Sequence, residues 1–261
     1  VSYTYNKRKG CIFMVSSDFR KEARKKLTGK WGTAACIFLA FILLSCALNY
    51  VKNMLSDNMQ SLVSIAISII EIPLLFGFTA SFVNLFNGES VNPFDFISLG
   101  FKNFGKSWGV TLQIIFKLIV PYILIIISYT IIALGSIASA TYLLAGYSTS
   151  TPFIFTLVGV ALFMTSLIWY VTKSYYYKLA YIIAIEKPEL SSKEVVQESQ
   201  RLMTEKRGKL FCLQLSFIGW ALLTVLTLGI GLLWLIPYMK SATIAFYKFA
   251  DDDIDNNSTE E

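Results

Sequence analysis

A chain of 261 residues with 55% hydrophobic and 15% charged residues lies outside the composition of ordinary soluble domains. The formal net charge is +6, but the basic residues flank apolar runs, so anionic lipid and not nucleic acid is the expected partner. The chain has no histidine, which removes histidine-based triads, general bases and metal sites, and its four cysteines (Cys11, Cys36, Cys46, Cys212) show no CxxC spacing.

Residues 1–13 (VSYTYNKRKGCIF) match no structural element. The codons for Lys7-Arg8-Lys9-Gly10 can spell a purine-rich ribosome-binding site, so this segment is expected to be a non-native upstream extension, with translation starting at Met14. From about Phe19 to Leu27 a short helix is expected, capped by Ser17 or Asp18. Phe19, Ala23 and Leu27 form a narrow apolar stripe, and Arg20, Lys21, Arg24, Lys25 and Lys26 make the rest basic. That pattern suits a helix lying among lipid headgroups, with Lys30-Trp31 marking the interface.

Six apolar spans follow, at about 33–51, 62–86, 109–134, 152–172, 210–228 and 230–249. The first two are joined by a polar loop, Lys52–Ser61. Between spans two and three, Asn92 is a candidate N-cap with Pro93 at the first helical position. Phe94, Ile97, Phe101, Phe104 and Trp108 then recur as a second surface-lying amphipathic stripe. Gly135–Thr151 reads as an uncharged loop. Span four ends in Trp169, Tyr170, Lys173, Tyr175, Tyr176, Tyr177 and Lys178, an aromatic and basic belt, and Tyr181–Ile185 reads as its continuation out of the bilayer.

A charged helix precedes span five. Ser191 and Glu194 have capping-box spacing, Val195, Val196, Leu202 and Met203 fall on one side, and Gly208 stands where a helix C-cap is expected. No charge occurs from Leu210 to Met239, and Gly229-Ile230-Gly231 breaks that run into two arms. The tail 251–261 is acidic and is expected to be disordered, leaving 14–250 as a single transmembrane domain.

The segment from Met14 to span one, the segment between spans two and three, and that between four and five hold six, two and eight Lys and Arg residues, against Lys52 alone on the other side. The positive-inside rule places both termini and the amphipathic helices in the cytoplasm. Gly-Lys pairs at Gly29-Lys30, Gly105-Lys106 and Gly208-Lys209, each leading into a span, suggest three helical hairpins. The expected fold is therefore an all-α integral membrane protein, a six-transmembrane-helix bundle with cytoplasmic interfacial helices.

Ionisable residues inside spans are costly and often functional. Glu71 lies roughly 13 Å from the outer end of span two and Lys117 roughly 12 Å from the inner end of span three, by the rise of a helix. In a core about 30 Å thick these depths nearly meet, which makes the two a candidate intramembrane polar site; the favoured reading is the plainer one, in which Lys117 snorkels inward and Glu71 faces a crevice by Pro73. No phosphate loop, nucleophile elbow, catalytic carboxylate pair or metal spacing occurs, so no catalytic residue, cofactor or metal is expected and the chain is not read as an enzyme.

The stretches EKPELSSKEVVQESQRLM, LFCLQLSFIGW and TLGIGLLWLIPYMKSATIAFY closely resemble a bacterial multi-pass membrane family catalogued as domain of unknown function 975. FRKEARKKLTGKWG near the start is similar to it as well. The resemblance covers about Met14–Phe249 and implies a plasma-membrane protein, mostly of Gram-positive bacteria, without an established reaction; no catalytic residue carries over. The leading expectation is a non-enzymatic envelope protein that works through lipid or partner contacts. A small transporter or flippase using Glu71 and Lys117, and an immunity-type protein that blocks a membrane-active peptide, stay open. So does the choice between a membrane-protein partner and a second copy of the chain.

Overall fold

The computed structural model describes residues 16–148 and 150–258. The expected extension 1–13 and the end of the tail lie outside them. The described residues form eleven α-helices and no strand. They fall into two compact units, one built from residues up to Phe101 and from Lys206 onward, the other from Lys102 to Glu205.

In the first unit, α1 (Ser16–Leu27) ends at Gly29, whose φ of +78° is the left-handed conformation of a helix C-cap, and α2 (Trp31–Asn53) follows at once. α3 (Asp57–Asn87) begins after three residues, so the polar loop expected over Lys52–Ser61 is mostly helix. The stripe Phe19, Ala23 and Leu27 is buried as its spacing predicts. It faces protein: Phe19 packs edge-on against Phe246 and Phe249 of α11 (Leu232–Ser258), with ring centroids 5.4 and 5.5 Å away. The C-terminal two thirds of α11 is thus the partner of the basic helix.

α4 (Asp95–Lys102) starts two residues after the first helical position expected at Pro93; Pro93 and Phe94 form a turn, and the Asn92 N–H donates to the Asp95 carboxylate at 2.8 Å. Of the aromatic residues here, Phe94 and Phe101 are exposed and Phe96 is buried. The α3–α4 contact is backbone on backbone. A Cβ added to Gly77 would collide with the Phe96 carbonyl, and one added to Gly100 would collide with the Pro73 carbonyl. The expected stripe does not form one helix: Phe94 precedes α4, Ile97 and Phe101 lie on it, and Phe104 and Trp108 belong to the next helix, which starts at Phe104.

α9 (Arg207–Leu215) and α10 (Ile218–Leu226) are one apolar stretch broken at Ser216-Phe217. Gly208 lies inside α9; the preceding helix ends at Met203, with Thr204 as its C-cap, so the glycine cap expected at 208 is not used. Leu228 (φ +50°) and Gly229 (φ +89°) then turn the chain into α11, the break read from the glycines. α11 runs on as helix to Ser258, into the segment expected to be a disordered tail. Lys206 favours this, because its ammonium bonds the Ala250 carbonyl at 3.1 Å and the Asp253 carboxylate at 2.8 Å.

In the second unit, α5 (Phe104–Leu144) and α6 (Ser150–Tyr175) form a long hairpin. The loop expected over Gly135–Thr151 is helix as far as Leu144, because its small residues make a close helix seam. Gly135 meets Thr156, Gly159 meets Ile131 and Ile132, and Ser128 and Ser166 are buried. Small residues of this kind let two backbones approach in lipid, where apolar burial gives little drive. α6 stops at Tyr175, so 181–185 does not continue it but belongs to a separate helix, α7 (Ala180–Glu186), buried against α8 (Ser192–Met203). The capping box of α8 is present on both sides: the Glu194 N–H donates to Ser191 Oγ and the Ser191 N–H to Glu194 Oε2. Val195, Val196, Leu202 and Met203 are buried, and Ser199 Oγ donates to the Tyr176 carbonyl at 2.8 Å.

Five stretches are long and apolar enough to cross a membrane: Trp31–Asn53, Met59–Asn87, Phe104–Leu144, Ser150–Glu186 and Arg207–Leu226. The sixth expected span, in α11, is not among them. Pro237, Lys240 and Lys248 dilute its apolar run, and most of its later residues are spent on protein contacts.

Candidate functional site: an arginine-gated aromatic groove

Two features of the first unit meet at α1. Where α9 breaks into α10, the Ser216 carbonyl is taken by Arg20 Nη1 at 3.4 Å. The Tyr238 hydroxyl of α11 donates to the Arg20 carbonyl, also at 3.4 Å. One residue of the basic helix therefore holds both arms of the α10–α11 hairpin. Phe217, buried at the break, packs edge-on against Tyr238 with centroids 5.0 Å apart, and Trp31 closes on the same tyrosine at 6.1 Å.

Beyond this clasp the hairpin stands free. Leu226 and Leu228 are 80% and 94% exposed, and Val225 and Ile230 are exposed beside them. The turn nevertheless leaves no N–H for a solvent to satisfy. The N–H groups of Thr227, Leu228, Gly229 and Ile230 donate to the carbonyls of Leu223, Val225, Thr224 and Thr227. That of Gly231 donates to Thr227 Oγ1 at 3.0 Å, and that of Leu232 to the Gly229 carbonyl. The N–H groups of the turn are thus paired within it, while the Leu226 and Leu228 carbonyls accept none of these bonds.

Between the hairpin and the ends of α1 and α2 lies a groove of about 550 Å3. Its walls are Trp31, Trp220, Leu223, Trp234 and Tyr238, and its one charged lining residue is Arg24, whose side chain faces the Tyr238 hydroxyl. Trp220, Leu223 and Trp234 are about half exposed, so the groove opens sideways.

The basic residues expected at the interface divide into two groups. Arg20 is used on Ser216, Lys30 Nζ donates to the Leu85 carbonyl at 3.2 Å, and Lys26 lies over the Phe86 ring at 5.4 Å. Lys21, Arg24 and Lys25 are exposed, Lys21 within 3.6 Å of Asp18. Glu71 is exposed on α3, two residues before Pro73 in the first unit, and Lys117 is exposed on α5 in the second; neither has a partner within its own unit among the described residues. Lys240 donates to Thr79 Oγ1 at 3.4 Å and lies 5.6 Å over Phe78.

The groove itself was not legible as a site. Its residues come from positions 24, 31, 220–238, and only the tryptophans hint at it. The signal available was Trp31 at the start of the first apolar span, with Trp220 and Trp234 inside the uncharged run 210–239.

With five apolar helical stretches of spanning length and no strand among the described residues, the chain is a multi-pass membrane protein. It belongs to a family of proteins of unknown function, DUF975, matched over residues 14–252. No curated protein and no solved structure matches the chain.

Proposed function

We propose that this is a non-enzymatic plasma-membrane protein that acts on lipid, by holding a half-depth hairpin in the cytoplasmic leaflet. The observation that carries the reading is the clasp at Arg20. A charged arginine at the bilayer centre is costly, so Arg20 and the basic face of α1 mark the polar edge of the membrane. Both arms of the hairpin are tied at that level, through Ser216 and Tyr238. From Ser216 to the turn at Leu228 the chain reaches at most roughly 18 Å, and from Tyr238 back to Gly229 roughly 14 Å. A hydrocarbon core is about 30 Å thick. The hairpin therefore ends near mid-membrane, which is where a bare, fully apolar turn with every N–H bonded inside is needed.

On this reading the last two of the six expected spans dip and return, and the crossings are α2, α3, α5 and α6. The count stays even, so both termini remain on the side that holds the excess of Lys and Arg, the cytoplasm. Phe94 and Phe101, exposed just before and on α4, add further apolar anchors on the surface of the same leaflet.

A nitroxide placed by Leu228→Cys in the protein reconstituted into liposomes tests the depth. The expected spectrum is broadened by oxygen and unaffected by a water-soluble nickel chelate. Equal broadening by the chelate would place the turn in water and overturn the reading.

A further inference from the structure

We infer that the groove beside the hairpin is a binding site for one anionic diacyl phospholipid of the cytoplasmic leaflet, with its phosphate at Arg24 and one acyl chain between Trp220, Leu223 and Trp234. The inference rests on the depth of the hairpin proposed above and adds the ligand.

The groove is polar at one end only. Arg24 stands at its mouth, and the remaining lining is aromatic and aliphatic, with Thr224 and Thr227 turned back onto their own helix by hydrogen bonds to Ala221 and Thr224 carbonyls. A ligand that fits must carry one anionic group and one long apolar part, in that order along the groove. A guanidinium is the side chain best matched to a phosphate, because its fork of donors bonds two oxygens at once. The volume, about 550 Å3, is in the range of sites that enclose a small ligand or a large part of one.

The position settles the class further. If Arg20 and Arg24 lie at the headgroup level, the groove descends from there along the hairpin toward the turn, which is the path of an acyl chain in that leaflet. Trp220 and Trp234, half exposed on either arm, leave the groove open to lipid from the side, so a phospholipid enters without leaving the bilayer. Charge complements this: Arg24 is the one charged side chain lining the groove, so the headgroup it selects is anionic. A neutral apolar ligand would leave Arg24 without its counter-charge, and a soluble anion would leave the aromatic walls uncovered.

The test uses the full-length protein in detergent micelles, studied by native mass spectrometry with added phosphatidylglycerol or phosphatidylcholine. The expected result is a single phosphatidylglycerol held per chain and little phosphatidylcholine. Arg24→Gln is expected to weaken phosphatidylglycerol binding about tenfold or more, as loss of a charge-assisted hydrogen bond requires. Lys25→Gln, which removes the same charge from the neighbouring position, is expected to leave it within about twofold. Trp234→Ala is expected to weaken both lipids alike. Equal binding by Arg24→Gln and Lys25→Gln, or retention of no lipid by a folded wild-type chain, would overturn the site. The nitroxide at Leu228 reports hairpin depth independently, so a hairpin of the expected depth with no bound lipid sinks the site alone.

Discussion

The Lys206 ammonium lies 2.8 Å from the Asp253 carboxylate and 3.1 Å from the Ala250 carbonyl, with Lys206 itself only 8% exposed. The lysine thus pins the C-terminal part of α11 to the start of α9. Lys206→Ala is expected to cost about 1–3 kcal/mol, the range for losing a buried charged hydrogen-bond donor. Asp253→Asn is expected to cost at most about 1 kcal/mol, because the carboxylate is half exposed and Ala250 still accepts. Amide hydrogen exchange over residues 250–258 measures both: it accelerates strongly in the first variant and slightly in the second.

Gly77 and Gly100 let α3 and α4 touch through their backbones. Gly77→Ala inserts a methyl group into the Phe96 carbonyl, which cannot move without shifting α4. The expected loss is about 3 kcal/mol, the upper range for overpacking. Gly105→Ala has no neighbour within 4 Å of the new carbon and is expected to stay within about 0.5 kcal/mol of the parent. Thermal unfolding of the two purified variants separates a packed glycine from an incidental one.

Thr227 closes the hairpin turn, since its Oγ1 accepts from the Gly231 N–H. Thr227→Val keeps the shape and removes the acceptor. In hydrocarbon the freed N–H has no water to turn to, so the variant is expected to lose about 1–2 kcal/mol. Thr227→Ser keeps the acceptor and is expected to stay near the parent. Resistance to unfolding in reconstituted liposomes distinguishes them.

Acid is expected to loosen α8. The Ser191 backbone N–H, bonded to the Glu194 carboxylate, holds that carboxyl below the usual carboxylate range, with the Ser191 hydroxyl and the nearby charge of Lys106 acting the same way. A group with a lowered folded-state pKa contributes stability above its unfolded pKa and loses it as pH falls through the lowered value. Protection of the α8 amides should therefore fall on acidification below the ordinary glutamate range. Glu194→Gln, which still presents an acceptor but does not titrate, should flatten that dependence.

Local features of the fold were the ones legible in the sequence. The Ser191–Glu194 box needs only residues three apart, and the Phe19, Ala23, Leu27 stripe only the period of a helix. Which surface a stripe faces is set by partners far along the chain: Phe19 finds Phe246 and Phe249, and Lys206 finds Asp253, none of which spacing can reveal. The Gly229 turn was likewise readable, but its depth depends on Arg20 holding Ser216 and Tyr238. Counting residues placed Glu71 and Lys117 at similar depths; it carries no information on the direction either side chain takes around its helix. Gly135–Thr151 reads as an uncharged loop, yet it is helix as far as Leu144, because small uncharged residues are what a close helix pair in lipid requires.

The central claim is that the chain turns back at Leu228 without reaching the far side. Leu228→Cys and Gly146→Cys, each in a background freed of native cysteines, can be exposed in intact cells to a membrane-impermeant maleimide. The account, which puts the connection between α5 and α6 outside, predicts rapid modification at position 146 and none at position 228. Modification of both from outside at equal rates would contradict it and restore six crossings.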